Sequence, residues 1–286
     1  MFMKTHRWAT KFALGLVIAL ASSVAIAKDA QKSSPLDELD WQIGPTTASI
    51  PGGGTFEVPE GFAFLDEANT AKFQELIQNL PTPGQTMFAP DDLTWFAIFQ
   101  FDEIGYVKDD EQIDADGILA GMREGQAQSN VELERRGWET LTIDGWAHTP
   151  RYDQATRRLE WAMLATSQPS GSKVVNFNTR VLGRRGVMGV TLVTDPSTLD
   201  ADVPRFKQAL QGFDFLPDQR YAAFREGDKV AAYGLGALIL GGAAAAGAKS
   251  GFFKTFGKFI AIGVFALFAG LWGWIKSLFS RGKREP

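Results

Sequence analysis

Apolar positions along this chain fall into distinct regimes: a short uncharged run near the start, a middle of alternating and helically spaced residues, and two long uncharged runs at the end. Val230–Gly247 and Phe259–Ile275 hold no charged residue over 18 and 17 positions. As helices rising about 1.5 Å per residue they would reach roughly 25–27 Å, near the ~30 Å hydrocarbon thickness of a bilayer. Residues 230–247 and 259–275 are therefore expected as two transmembrane helices, with a basic tail over 276–286.

The middle of the chain reads as an α+β domain over 45–228. Gly44–Glu60 carries prolines and glycines around short strand-like runs, which predicts an opening hairpin. Asp66 is placed to cap a helix over Glu67–Leu80, ended by Pro81 and Pro83. Leu93–Phe101 is apolar on both alternating faces and predicts a central strand. A helix is expected from Gly117 to about Arg136. Strands follow over Leu159–Ala165, Val174–Leu182 and Gly186–Val193, the last two joined by Gly183-Arg184-Arg185-Gly186. A last helix near Asp202–Gln211 leads into an extended Phe213-Asp214-Phe215. Helices and antiparallel strands are interspersed without a βαβ rhythm, so the class is an antiparallel sheet with flanking helices.

At the start, Lys4, Arg7 and Lys11 precede 15 uncharged residues, Phe12–Ile26, and Ala25-Ile26-Ala27 offers small residues for cleavage. That pattern predicts a signal peptide over 1–27, with an uncleaved signal anchor as the alternative. Either way the chain from Lys28 is exported, because the basic end stays in the cytoplasm. Residues 28–44 read as a linker.

Charge sharpens the division. Residues 28–228 carry 18 basic against 32 acidic side chains, a net −14, whereas 229–286 carry 8 against 1, a net +7. The acidic domain argues against nucleic acid as a partner, and the basic tail suits anionic headgroups. The chain has no cysteine, which excludes disulfides, thiolate metal sites and cysteine nucleophiles.

Few motifs carry chemistry. In Gly242–Ser250 (GAAAAGAKS), Ala248 stands between Gly247 and Lys249, so the spacing of a phosphate-binding loop fails and no nucleotide is expected. Asp109–Gly117 (DDEQIDADG) misses two ligand positions of a calcium loop and reads as an acidic turn before a helix. His148 is the one histidine outside the leader. No metal or other cofactor is expected. The better-motivated patch comes from strand alternation, which sets Asn176, Asn178 and Arg180 on one face of their strand. Glu160 on the neighbouring run is expected to approach that row, giving an arginine, a carboxylate and two amides for a polar ligand or a partner's backbone. Arg184 and Arg185 at the loop tip are further candidates.

From Trp146 to Val193 the wording becomes specific: Gly145-Trp146, Arg151-Tyr152-Asp153, Leu159-Glu160-Trp161-Ala162, the run from Val175 to Val187, and Leu192-Val193-Thr194-Asp195-Pro196. With Asp228-Lys229-Val230-Ala231-Ala232-Tyr233-Gly234, this closely resembles a bacterial family of predicted membrane-anchored proteins, domain of unknown function 2167. The resemblance implies an exported domain with a C-terminal anchor and brings no activity or catalytic residues. The order of elements, with a closing Phe-x-Phe, is also similar to the Mog1/PsbP-type α+β fold of small envelope and accessory proteins.

Together these readings describe a module in the cytoplasmic membrane, its domain on the periplasmic side, binding an envelope partner or small ligand. An envelope hydrolase using His148 or Glu160 is one alternative, and a transport or structural accessory is another. A two-helix hairpin is preferred for the anchor, although it leaves Lys276, Arg281, Lys283 and Arg284 outside, against the positive-inside tendency. A single span over Phe259–Ile275 would put that tail inside.

Overall fold

The computed structural model describes residues 34–77, 81–135, 137 and 139–240. The expected signal peptide, the second span, the basic tail and GAAAAGAKS lie outside them.

The chain opens with a short 3-10 turn and β1 (Gln42–Ile43), then β2 (Thr46–Ile50) and β3 (Gly54–Val58), which form the expected hairpin. Its tight loop needs left-handed backbone at Gly52 and Gly53, with φ of 88° and 83°, which glycine adopts without steric cost. β4 (Phe62–Leu65) follows, then α1 (Glu67–Leu76), capped as expected by the Asp66 carboxylate, which accepts from the Asn69 N–H at 2.9 Å. β5 (Thr86–Pro90) and β6 (Phe96–Asp102) form the next antiparallel pair. α2 (Ala115–Arg135) begins beside Asp114, whose carboxylate accepts from the Gly117 N–H at 3.0 Å. The long meander β7 (Thr140–Asp153), β8 (Arg158–Gln168), β9 (Lys173–Leu182) and β10 (Val187–Thr194) leads to α3 (Leu199–Ala209) and β11 (Phe213–Phe215). A five-residue helix, α4 (Leu235–Ile239), is the last described element.

Eight strands make one antiparallel sheet in the order β1-β4-β5-β6-β10-β9-β8-β7, and β11-β3-β2 make a second. The class is α+β, with a large antiparallel sheet and few helices. β6 is central, as its two apolar faces predict: Phe99 and Ala97 turn to one side, Phe96 and Ile98 to the other, and all four are buried.

One face of the large sheet packs against the small sheet and α3 through aromatic rings. Phe88 stacks on Phe206 at 6.1 Å and lies 4.7 Å from Phe56, while Phe177 meets Phe206 edge-on at 6.0 Å. The opposite face is covered in two parts. α1 and the N-terminal turn bury Phe73, Ile77, Leu36 and Leu39 over Met87, Phe96 and Val193. α2, α4 and the 104–113 segment cover Leu159, Trp161, Leu182 and Val187. The sheet's edges are protected: β1 has two residues, and β7 is broken by register shifts and carries Pro150.

The expected first span is corrected here. Val230 bridges to Tyr106, Ala231 donates its N–H to the Tyr106 carbonyl at 2.9 Å, and Leu235, Leu238 and Ile239 are buried beside Trp161 and Val107. The first eleven residues of Val230–Gly247 thus dock on the domain through Leu235, Leu238 and Ile239, with Val230 itself 43% exposed, and the last seven lie outside the described residues. No described helix is long and apolar enough to cross a membrane.

Phe206 is fully buried and ties α3 to both Phe88 and Phe177. Phe206→Ala is expected to cost about 3–5 kcal/mol. In urea unfolding the midpoint should fall with the slope unchanged.

Candidate functional site

β9 presents Asn176, Asn178 and Arg180 on one face, as alternation predicts, and that face is the one shared by α1 and α2. Residues opposite one another across antiparallel strands share a face. Arg180 therefore lies in a row with Gly189 and Gln100 on one side and Leu159 on the other. Asn178 lies between Thr191 and Trp161, and Asn176 between Val193 and Met163. A polar strip crosses the sheet between the two apolar clusters that the helices cover.

The row is not the wet surface that a polar strand face suggests. Asn176 and Asn178 are 1% and 5% exposed. The Asn178 amide is occupied: it donates to the Asn176 carbonyl at 3.2 Å and accepts from the Thr191 hydroxyl at 3.1 Å. Arg180 is half-buried, and among the described residues its guanidinium makes one hydrogen bond, to the Thr179 carbonyl at 3.3 Å. It sits over the Trp161 ring at 5.0 Å, a cation–π contact. Gly189 makes room beneath it: a Cβ there would stand 3.0 Å from Arg180 Nη1.

Asp102, two residues beyond Gln100 on β6, faces the same side. Burial pushes its carboxyl up from the ordinary value, partly opposed by the charge of Arg180. The residue is nonetheless exposed at the end of its strand. Burial also lowers the Arg180 guanidinium, with Asp102 pulling the other way. Among the described residues no direct ion pair joins the two, and each charge acts on the other. Tyr233, in the segment before α4, is raised by burial and by the Asp102 charge. Gln100 Nε2 reaches the Pro83 carbonyl at 3.5 Å, and its buried Oε1 has no hydrogen-bond partner among the described residues. Asp102, Gln100 and Tyr233 were not legible as site residues, because register and a docked segment bring them to Arg180.

Glu160 does not join this row. It stands opposite Thr179, whose side chain faces the small sheet and α3, and there it accepts from Lys207 Nζ at 2.5 Å. The expected approach to Arg180 fails by one residue of parity. His148 lies on Glu160's face, opposite Ala162, with its ring edge-on to Phe177 at 5.5 Å and its buried Nε2 without a partner among the described residues.

Arg184 and Arg185 are also accounted for. Arg184 makes a two-pronged pair with Asp228, Nε to Oδ2 at 2.7 Å and Nη2 to Oδ1 at 2.8 Å. Arg185 donates from Nε to Gln219 Oε1 at 2.7 Å. Both clamp the turn that leads from β11 toward α4. A second clamp centres on Asp109, which accepts from the Tyr152 and Tyr221 hydroxyls and from Arg157. Burial alone would raise Asp109, but these partners outweigh it and hold its carboxyl down. Tyr152 is pushed up to about 12, chiefly by burial. Among the described residues no group of three or more His, Asp or Glu side chains is placed to hold a metal.

The fold and this strip define an α+β domain with a two-sided antiparallel sheet and a partly covered arginine between two helical covers. The chain belongs to the family described as "Protein of unknown function (DUF2167)", whose model matches residues 42–272. No curated protein matches it. Among solved structures it is similar to the solution structure of cyanobacterial PsbP (CyanoP) from Synechocystis sp. PCC 6803, at 12% identity and a TM-score of 0.36, covering 60% of this chain and 92% of that one.

The Arg184 hydrogen bonds, with the Arg225 N–H, hold Asp228 down to about 2. An unfolded aspartate titrates near about 3.9, so this pair stabilises fully above that value and loses its contribution as pH falls through about 2. Asp228→Asn should lower the unfolding midpoint by a constant amount between pH 5 and 8. The gap to the parent should close between about pH 4 and 2, as followed by denaturant unfolding across pH.

Proposed function

We propose that this chain is an exported, membrane-tethered binding module that takes a small polar or charged ligand at Arg180. The observation that carries the reading is a guanidinium with five N–H donors and one long hydrogen bond among the described residues, set in a sheet face between two apolar clusters. Such a group is matched to a carboxylate or phosphate, which it can bind in two-pronged fashion. Arg184 and Arg185 drop out of the binding set because they hold the 216–228 turn, and Glu160 because Lys207 occupies it.

The tether in this reading is a single span. With Val230–Leu240 packed into the domain, Gly241–Ala248 leaves 8 uncharged residues before Lys249. Those would reach only about 12 Å as a helix, too short for a bilayer. Phe259–Ile275 is the remaining run of adequate length, with Trp272 and Trp274 beside Lys276 suited to an interface. One span from an exported domain leaves Lys276, Arg281, Lys283 and Arg284 in the cytoplasm, in accord with the positive-inside tendency. The signal sequence and the acidic charge of the domain support export to the periplasmic side.

Two measurements test these parts separately. A green fluorescent protein fused after Pro286 is expected to fluoresce, and alkaline phosphatase at the same place to be inactive. The reverse pattern would restore the hairpin. For the site, thermal unfolding of the full-length protein in detergent is followed against a panel of small carboxylates, phosphates and amino acids. At least one is expected to raise the midpoint in the parent and not in Arg180→Gln; a panel with no Arg180-dependent rise would overturn the binding reading.

A further inference from the structure

The strip holds two opposite charges that do not touch. Arg180 is on β9 and Asp102 on β6, with β10 between them. Strands lie about 4.8 Å apart, so the two backbones are separated by roughly 10 Å across the sheet. Arg180 spans part of this gap by lying over Gly189, where only a hydrogen occupies the Cα. Asp102 is displaced one further step along its strand, opposite Val187. Among the described residues no ion pair joins them, yet each charge acts on the other across the strip.

Between them stands Gln100, opposite Gly189, with its Nε2 turned toward Pro83 and its Oε1 lacking a donor among the described residues. Tyr233 adds a hydroxyl near Asp102. Glu111, the other acid of the α4 cover, already accepts from the Gly236 N–H at 3.2 Å and crowds Gly234. The groups left to recognise a ligand are one cation, one N–H acceptor and one anion, in that order along the strip.

Resting on the reading of Arg180 as a ligand anchor, we propose that the ligand is a small zwitterion of the amino-acid class. Its carboxylate lies on Arg180, its ammonium on Asp102, and Gln100 Oε1 accepts an N–H from the ammonium or, in a dipeptide, from the peptide group. The charge arrangement decides against single-sign ligands. A plain anion satisfies Arg180 but is repelled by Asp102, and a plain cation meets the reverse conflict; only a molecule carrying both charges compensates both groups.

The test uses full-length protein in detergent and isothermal titration with L-alanine, L-alanyl-L-alanine, N-acetyl-L-alanine and L-alaninamide. Alanine or the dipeptide is expected to bind at least tenfold tighter than the acetylated and amidated forms. Asp102→Asn should bring the zwitterion down to the level of N-acetyl-L-alanine, and Arg180→Gln should remove both. Thermal unfolding of each variant reports whether it remains folded, and Arg180→Lys supplies a milder change that should retain weakened binding. If N-acetyl-L-alanine binds as tightly as alanine and Asp102→Asn changes nothing, the zwitterion proposal fails while Arg180 remains an anion site. If no probe binds, or binding survives Arg180→Gln, both readings fall.

Discussion

The large sheet must bury two faces at once. Strands such as β6 and β10 are apolar on both sides, and a sheet of this kind is stable only when each face is shielded from water. On one side the small sheet and α3 form a continuous aromatic layer in which Phe56, Phe88, Phe99, Phe177 and Phe206 touch one another or a common neighbour. On the other side the shielding comes from separate pieces, α1 with the N-terminal turn and α2 with α4. The clusters they bury are distinct, and the polar strip of β9 and β6 lies where they fail to meet. The site follows from how the face is covered.

The same requirement explains the use of the segment after Lys229. Leu235, Leu238 and Ile239 seal Trp161, Val107 and Leu182 against water, and the turn that delivers them is clamped by Arg184 and Asp228 and by the Tyr106 ring, which packs on Tyr221 and Phe224. An uncharged run reads alike whether hydrocarbon or a protein core receives it. Gly234 lets the chain pass Glu111, since a Cβ there would stand 2.1 Å from Glu111 Oε2. That close approach is a tertiary fact without a periodic signature.

Local pattern was enough for the hairpin at 46–58, the Asp66 cap, the centrality of β6, the β9–β10 loop and the facing of Asn176, Asn178 and Arg180, because each depends on alternation or turn chemistry within a few residues. β7 escaped because Gly145, Pro150 and register shifts interrupt its alternation, although it forms fourteen residues of strand. Glu160 was misplaced for a different reason. Its parity relative to β9 depends on cross-strand register, and a one-residue change of register reverses every facing. The burial of Asn176 and Asn178 was equally hidden, since it depends on which helices lie above them.

Stability alone does not account for Arg180. Placing a cation in a crowded site costs several kcal/mol after relaxation, whereas one long hydrogen bond contributes about 1 kcal/mol and a ring contact about 1–2. Leucine or methionine at this position would join Leu159 and Trp161 on the same face and extend the apolar layer across the gap. Well-packed apolar residues commonly equal or exceed buried charges in stability. Arg180 is therefore a local departure from the logic that governs the rest of the sheet, made next to a glycine that accommodates it and opposite a carboxylate it does not touch. Departures of this kind concentrate where a protein does something other than hold itself together.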